Sequence, residues 1–324
     1  MNRKIVYVNA FIDEDLKDRV RETAEASGFE TEFFSKADDA LSAAREAEII
    51  FGDRMELVRA AEKLRWICTS FAGVNNFDLS YLEERNIALT NSSGAYGITI
   101  AEHMIMVLTI LLRNIPTYER LKHERVWQGG YPTKTISGSR VLILGTGDIG
   151  SNTAVRLRGF GPESIRGLNR SGRAPEEPGK NAFDRVEKIE EIEKFLPDTD
   201  ILLTCLPGTK DTEGILSAER IALLPKGAYI VNVGRGSAID EDALITALKE
   251  GRIAGAALDV LRNEPLPKES PLWDVDRLYL TPHIAGQETA PVTRRLIAEM
   301  FIEDLKNYAA GMPLKHRVDL KAGY

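Results

Sequence analysis

The run RVLILGTGDIG, residues 140–150, constrains this chain more than any other stretch. An apolar strand feeds straight into Gly145, Gly147 and Gly150, spaced GxGxxG, and the next residues, SNTAVRL, read as a helix. The first glycine makes a tight turn, the second lets backbone approach a pyrophosphate, and the third lets helix and strand pack closely. The helix N-terminus then faces negative charge. A glycine-rich turn alone is weak evidence; the strand before it and the helix after it make it a dinucleotide site. Asp148 and Ile149 lie between the glycines and count with them as cofactor-binding residues.

The flanking sequence supplies two doubly wound parallel sheets, an α/β architecture. Up to about residue 98, KIVYVNAF, ETEFF, EIIFGD, RWICTSF and IALTN read as strands, with helices at 14–27, 37–46 and 55–61. Apolar runs separated by polar helices describe a parallel sheet covered on both faces. A long helix, about 99–113, leads away and stops before Pro116; a polar segment with Trp127, Gly129, Gly130 and Pro132 follows. The second alternation runs through SIRGLN, DILLTCLP, AYIVNVG, IAGAALDV and LYLTPHI. A final helix, about 291–310, returns toward the first unit. The division expected is therefore 1–98 with 285–324 as a flavodoxin-like substrate domain and 99–284 as a Rossmann domain. Two open sheets side by side bring the carboxyl ends of their strands to one cleft, where such folds bind ligands.

Composition removes several classes of function. The 324 residues are 43% hydrophobic and 28% charged, with a net charge of -7 and a pI near 5.4. An acidic surface without a Lys/Arg block argues against nucleic acid as a partner. The apolar stretch 98–112 is broken by Glu102 and His103 and falls short of the roughly 20 residues that cross a bilayer. The opening MNRKIVYVNAFIDED carries charges within its short apolar run and does not read as a signal peptide. Cys68 and Cys205, both placed inside strands, show no CxxC or zinc spacing, which suits a reducing cytoplasm and gives metal ligation no support.

The choice of cofactor turns on GLNRSGR, residues 167–173. An NAD site carries an Asp or Glu at the end of the second strand, bonded to the ribose 2′-hydroxyl. Here Asn169 stands in that place, followed by Arg170, Ser171 and Arg173. A carboxylate repels a 2′-phosphate, whereas guanidinium groups bind one with charge-assisted hydrogen bonds. NADP(H) is favoured and NAD(H) stays possible, since Glu176 and Glu177 dilute the local positive field. The alternative is a solvated turn whose arginines touch nothing.

Three further segments each place a polar residue after an apolar strand. YIVNVGRGSAIDEDAL sets Arg235 between Gly234 and Gly236; GAALDVLRNEPLP gives Asp259 and Glu264; LYLTPHIAG presents His283. With LPGTKDTEGIL, these segments carry a resemblance to the D-isomer-specific 2-hydroxyacid dehydrogenases, which include glyoxylate/hydroxypyruvate reductases, D-lactate dehydrogenases and phosphoglycerate dehydrogenases. It runs from about Trp66 to Leu305. The resemblance implies that Arg235, Glu264 and His283 are catalytic.

The chemistry agrees with that implication. Reducing a 2-oxo acid needs a hydride at C2, a proton for the developing alkoxide and a cation for the carboxylate. The nicotinamide supplies the hydride. An imidazole can give or take the proton near neutrality, and a carboxylate beside it favours the protonated form. Arg235 would hold the substrate carboxylate and polarise the carbonyl.

The resemblance also implies that Asp259 contacts the nicotinamide carboxamide, that Cys205 and Pro207 line the adenine side, and that Val233, Gly234 and Thr99 face the cofactor. It places the substrate, with Arg235 and His283, at the loop of Phe71, Ala72, Gly73 and Val74, through backbone N–H groups. Trp66 could wall the side-chain pocket or simply pack in the core. It further implies a homodimer, with the segment from Thr99 to about Trp127 as the pairing arm.

Each residue has a plainer alternative: His283 in the core, Arg235 in a surface ion pair, Glu264 as a cap. His103 is expected to pack, and His123 and His316 to face solvent. Two other kinds of protein share this frame. One is a cofactor-sensing corepressor without turnover; this chain shows no long disordered tail or peptide-binding extension. The other is a dehydrogenase of another acid, such as phosphoglycerate, D-lactate, formate or phosphite. A phosphorylated substrate would want a cation in the loop, which has neither Arg nor Lys, and a formate enzyme of this kind would carry a longer N-terminal region. Glyoxylate, hydroxypyruvate and related 2-oxo acids fit the loop.

Overall fold

The computed structural model describes residues 3–177, 179 and 181–321. Outside it lie the first two residues of the N-terminal segment read above and the last three of the expected substrate domain. The chain forms two compact units, one running through Tyr96 and resuming at Gln287, the other Gly97–Gly286.

The first unit is built from β1 (Arg3–Val8), α1 (Glu14–Ala26), β2 (Phe29–Phe34), α2 (Ala37–Ala44), β3 (Ile49–Phe51), α3 (Met55–Ala60), β4 (Trp66–Cys68), α4 (Leu79–Glu84) and β5 (Ala88–Thr90). Its strands are all parallel, in the order β2-β1-β3-β4-β5, which is the flavodoxin-like winding. Burial follows the sequence pattern. β3 and β4 are buried throughout, and α1 buries Leu16, Val20 and Ala24, one residue per turn.

The helix Pro291–Ala309 belongs to this unit. Its Phe301 enters an aromatic stack: Tyr7 lies on Phe51 with ring centroids 4.1 Å apart, and Trp66 lies on Phe301 at 5.3 Å. Trp66 is fully buried and donates its indole N–H to Thr90 Oγ1 at 2.9 Å, so it is a core residue and not a pocket wall. Trp66→Ala should cost about 3–5 kcal/mol, read as a lower urea midpoint.

The second unit contains α5 (Gly97–Leu112), α6 (Ile115–His123), β6 (Arg140–Leu144), α7 (Asp148–Arg158), β7 (Ser164–Asn169), β8 (Arg185–Lys188), α8 (Ile192–Phe195), β9 (Ile201–Thr204), α9 (Ala218–Leu223), β10 (Ala228–Asn232), α10 (Glu241–Lys249), β11 (Ile253–Leu258) and β12 (Leu278–Leu280). All seven strands are parallel, in the order β12-β11-β10-β9-β6-β7-β8. The winding reverses between β6 and β9, the switch point at which such sheets take ligands. The apolar stretch 98–112 is a core helix: Met104, Leu108 and Leu111 of α5 pack with Val141, Ile143 and Val231. Among the described residues no single helix is long and apolar enough to cross a membrane.

Two expectations need correction and two elements were not foreseen. The long helix stops before Pro116 as expected, but a second helix follows, and it includes Pro116. The proline lies in the first turn of α6, after a left-handed residue at Asn114 with φ 56°, where its missing N–H has no partner to lose. Strand β8, RVEK, was not expected; it is an edge strand with no fully buried residue, so its sequence lacks an apolar signal. Cys205 lies one residue beyond β9 rather than inside it. His316 does not simply face solvent: its Nδ1 meets the buried Asp304 Oδ2 at 3.0 Å, and its side chain is 16% exposed.

Candidate active site

The expected site residues of the second unit line the carboxyl edge of its sheet. His283 follows β12, Asp259 and Glu264 follow β11, Arg235 follows β10, Cys205 and Pro207 follow β9, Gly145 follows β6, and Asn169 ends β7. From β12 to β7 there are five interstrand steps, each about 4.8 Å, or roughly 24 Å in all. His283 and Glu264 are at one end of this edge and the arginine-bearing turn is at the other.

The glycine-rich turn has the shape a dinucleotide needs. Gly145 adopts φ 94°, and a Cβ there would press on Cys205 at 3.2 Å. A Cβ at Gly150 would collide with the Gly145 carbonyl oxygen, whereas one at Gly147 would meet nothing within 4 Å. The outer glycines are thus fixed by protein contacts, and the middle one faces open space at the head of α7. That cradle fits a pyrophosphate held by helix N–H groups. Asp148 turns the other way: a Cβ on Gly97 would collide with its carboxylate, and its Oδ1 accepts from Asn152 Nδ2 at 2.9 Å. The Cys205 thiol is close to the Leu144 and Gly145 carbonyl oxygens. Desolvation, then the Asp148 charge, pushes it up to about 12, so it is no nucleophile at neutral pH.

Asn169 uses its whole side chain to shape the turn after β7. Its Oδ1 accepts from Gly172 N at 2.6 Å and Ser171 Oγ at 3.1 Å. Its Nδ2 donates to Thr146 Oγ1 at 2.6 Å and to the Arg173 carbonyl at 2.8 Å. Arg170, Ser171 and Arg173 are exposed around it.

Arg235, Glu264 and His283 come from three adjacent strands. His283 Nδ1 meets Glu264 Oε2 at 2.7 Å, with side-chain exposures of 54% and 34%. The other Glu264 oxygen accepts from Leu261 N at 2.7 Å, which fixes the carboxylate. An ionised carboxylate only accepts, so Nδ1 carries the proton and Nε2 remains for another partner. His283 is no core histidine.

Arg235 is half-buried. Its Nη1 donates to the Gly234 carbonyl at 2.8 Å, and among the described residues no carboxylate pairs with it. Asn232, unnoticed in the sequence, builds this turn by donating Nδ2 to the Arg235 carbonyl and accepting from Gly234 N. A Cβ on Gly236 would collide with the Leu261 backbone, so Arg235 sits on a turn that cannot shift.

Asp259 is almost wholly buried, with its side chain 2% exposed. It accepts from Thr281 Oγ1 at 2.6 Å, Ile284 N at 2.9 Å and Ala285 N at 3.0 Å. His103 joins the same cluster through Nε2, 3.2 Å from Thr281 Oγ1. Desolvation, opposed by Asp259, holds the His103 imidazole below the usual histidine range. Packing was expected of His103; this polar link was not. His123, at the end of α6, is exposed.

In the first unit, the loop after β4 has its carbonyl groups occupied. Those of Ser70, Phe71 and Ala72 accept from Tyr96 Oη, Ser92 N and Asn91 Nδ2. Among the described residues, the N–H groups of Ala72, Gly73 and Val74 donate to no partner. Phe71 is 41% exposed, while the Val74 side chain is in the core.

The chain as a whole is similar to known proteins. The family model for the NAD binding domain of the D-isomer specific 2-hydroxyacid dehydrogenases matches residues 105–285. The chain is 33% identical to glyoxylate/hydroxypyruvate reductase HPR3 of Arabidopsis thaliana over 258 residues, 78% of this chain and 76% of that protein. A D-isomer specific 2-hydroxyacid dehydrogenase family protein from Aeromonas salmonicida superposes with a TM-score of 0.84 at 31% identity, over 99% of this chain and all of that one. The enzyme from Xanthobacter autotrophicus, solved with NADPH and MES, gives 0.77 at 29% identity, with both chains fully covered. The match to the D-3-phosphoglycerate dehydrogenase of Archaeoglobus fulgidus, 29% identical over 266 residues, covers 82% of this chain and only 49% of that protein. The chain belongs to the D-isomer specific 2-hydroxyacid dehydrogenase family, NAD(P)-dependent oxidoreductases of 2-hydroxy and 2-oxo acids.

Proposed function

We propose that this protein reduces small 2-oxo acids, glyoxylate and hydroxypyruvate foremost, to D-2-hydroxy acids with NADPH. The observation that carries the reading is the His283–Glu264 pair at 2.7 Å, one strand away from an arginine that, among the described residues, has no carboxylate partner. NADPH, when bound, supplies the hydride. His283 in its imidazolium form gives the Nε2 proton to the developing alkoxide, and Nδ1–H stays on Glu264. Arg235 holds the substrate carboxylate and steadies the negative charge as it builds. The donor-rich loop Ala72–Val74 also suits a carboxylate. Its lack of Arg or Lys disfavours a phosphorylated acid. Gly145, Gly147, Ile149 and Gly150 suit the pyrophosphate, with Cys205, Pro207, Val233 and Gly234 on the same sheet edge and Thr99 in the first turn of α5. The exposed Val126 and Trp127 suit the pairing arm of a homodimer.

The preference for NADPH rests on Asn169 at the end of β7, where no carboxylate opposes a 2′-phosphate, and on the exposed Arg170 and Arg173. Initial rates with glyoxylate, hydroxypyruvate, pyruvate and 2-oxoisocaproate, each with NADPH and NADH, test the whole reading. The Arg170→Ala/Arg173→Ala variant should lose roughly 10- to 100-fold in kcat/KM for NADPH, the scale of one or two charge-assisted contacts. Its rates with NADH should hardly move. Equal use of both cofactors by the unaltered protein would overturn the NADPH assignment, and no turnover of any acid would overturn the reaction.

A further inference from the structure

We propose that His103 and Thr281 are positioning residues, acting through Asp259 on the backbone that presents His283. The inference rests on the reading of His283 as the proton donor. His283 has φ 54°, a left-handed conformation that few non-glycine residues adopt and that persists only where the surroundings enforce it. The enforcing group is Asp259. Its main-chain carbonyl accepts from His283 N at 2.9 Å, and its carboxylate takes the next two N–H groups, of Ile284 and Ala285, one on each oxygen. One residue thus holds three consecutive amides.

A carboxylate in that role must not rotate, and Asp259 is steadied by Thr281 Oγ1 at 2.6 Å. A hydroxyl has one proton, and an ionised carboxylate can only accept, so Thr281 spends its proton on Asp259. The contact from His103 Nε2 to Thr281 Oγ1, 3.2 Å, therefore requires that Nε2 carry a hydrogen. A side chain on α5, 178 positions away in sequence, fixes the hydroxyl that fixes the carboxylate that fixes the His283 backbone. His103 itself is 9% exposed and lies 3.7 Å from Asp259 Oδ1.

The test uses the full chain and two pairs of variants. Thr281→Val removes the hydroxyl and Thr281→Ser retains it; His103→Leu removes the donor and His103→Gln supplies an amide N–H. Nitrogen-15 NMR of the imidazoles, without substrate, should show His103 as the Nε2–H tautomer and a protected His283 Nδ1–H held by Glu264. In T281V the protected signal should vanish. Its kcat should fall about 10- to 100-fold, the cost of displacing a reacting group by about an ångström, with KM for the oxo acid within about threefold. T281S should recover both signal and kcat; H103L should show the same changes more weakly and H103Q reverse them.

The proposal is overturned if His103 carries its proton on Nδ1, or if T281V keeps both signal and kcat. It is also overturned if T281S fails to restore what T281V loses, because then volume and not the hydroxyl matters. If the unaltered protein reduces no 2-oxo acid, the functional reading falls, and the two NMR signals still decide the network.

Discussion

His283→Asn should lower kcat about 10²- to 10⁴-fold, the usual contribution of a positioned general acid, and leave the fold intact. Asparagine is the informative replacement for a structural reason. Residue 283 sits at φ 54°, and asparagine tolerates that conformation better than most residues. The three amides that Asp259 holds belong to the backbone, so they survive the change. The side chain is more than half exposed, so little packing is lost. Dinucleotide affinity and the melting temperature should stay close to those of the unaltered protein while turnover collapses. Glu264→Gln should cost less, about 10- to 100-fold, since an amide oxygen can still accept from Nδ1–H and hold the ring, though less strongly than a carboxylate. A His283→Asn protein within tenfold of full activity would remove this residue from the proton-transfer step.

What the sequence made legible was the part written in local pattern. The strand RVLIL with its glycines stands at β6 and the head of α7, and SIRGLN is β7 to the residue, because apolar runs and glycine turns depend on neighbouring residues alone. Both windings followed from the alternation of strand and helix. Arg235, Glu264 and His283 stood out because each lies in a short segment after a strand, and the family resemblance of those segments singled them out. Local pattern failed where meaning depends on distant partners. RVEK is mostly charged and reads as loop, yet an edge strand needs only one hydrogen-bonded side. Pro116 marks the end of the long helix but hides the start of α6, because in a first helical turn its missing N–H costs nothing. Nothing local to Asp259 signals its three donors, which come from 22 to 26 residues downstream. His103 shows a similar limit: a histidine on an apolar face signals burial, and only the fold reveals the hydroxyl it meets.

Arg235→Lys should be nearly as damaging as Arg235→Ala, each losing about 10²- to 10³-fold in kcat/KM, the scale of one preorganised group that stabilises developing charge. Lysine keeps the charge but not the planar fork that grips a carboxylate with two parallel hydrogen bonds. The turn cannot adapt to the shorter reach of a point charge, because Asn232 ties it at both ends and Gly236 lies against the Leu261 backbone. Half-buried and, among the described residues, without an ion-pair partner, Arg235 contributes little that folding would miss, so stability should stay within about 0.5 kcal/mol. Two further measurements separate carboxylate binding from general electrostatics. Guanidinium chloride at millimolar concentration should partly restore Arg235→Ala and do nothing for Arg235→Lys, where the ammonium fills the space. The penalty of either variant should also shrink when the substrate carboxylate is esterified, because the lost contact is then absent from both proteins. A penalty that persists undiminished on the ester would mean that Arg235 acts on the carbonyl oxygen alone.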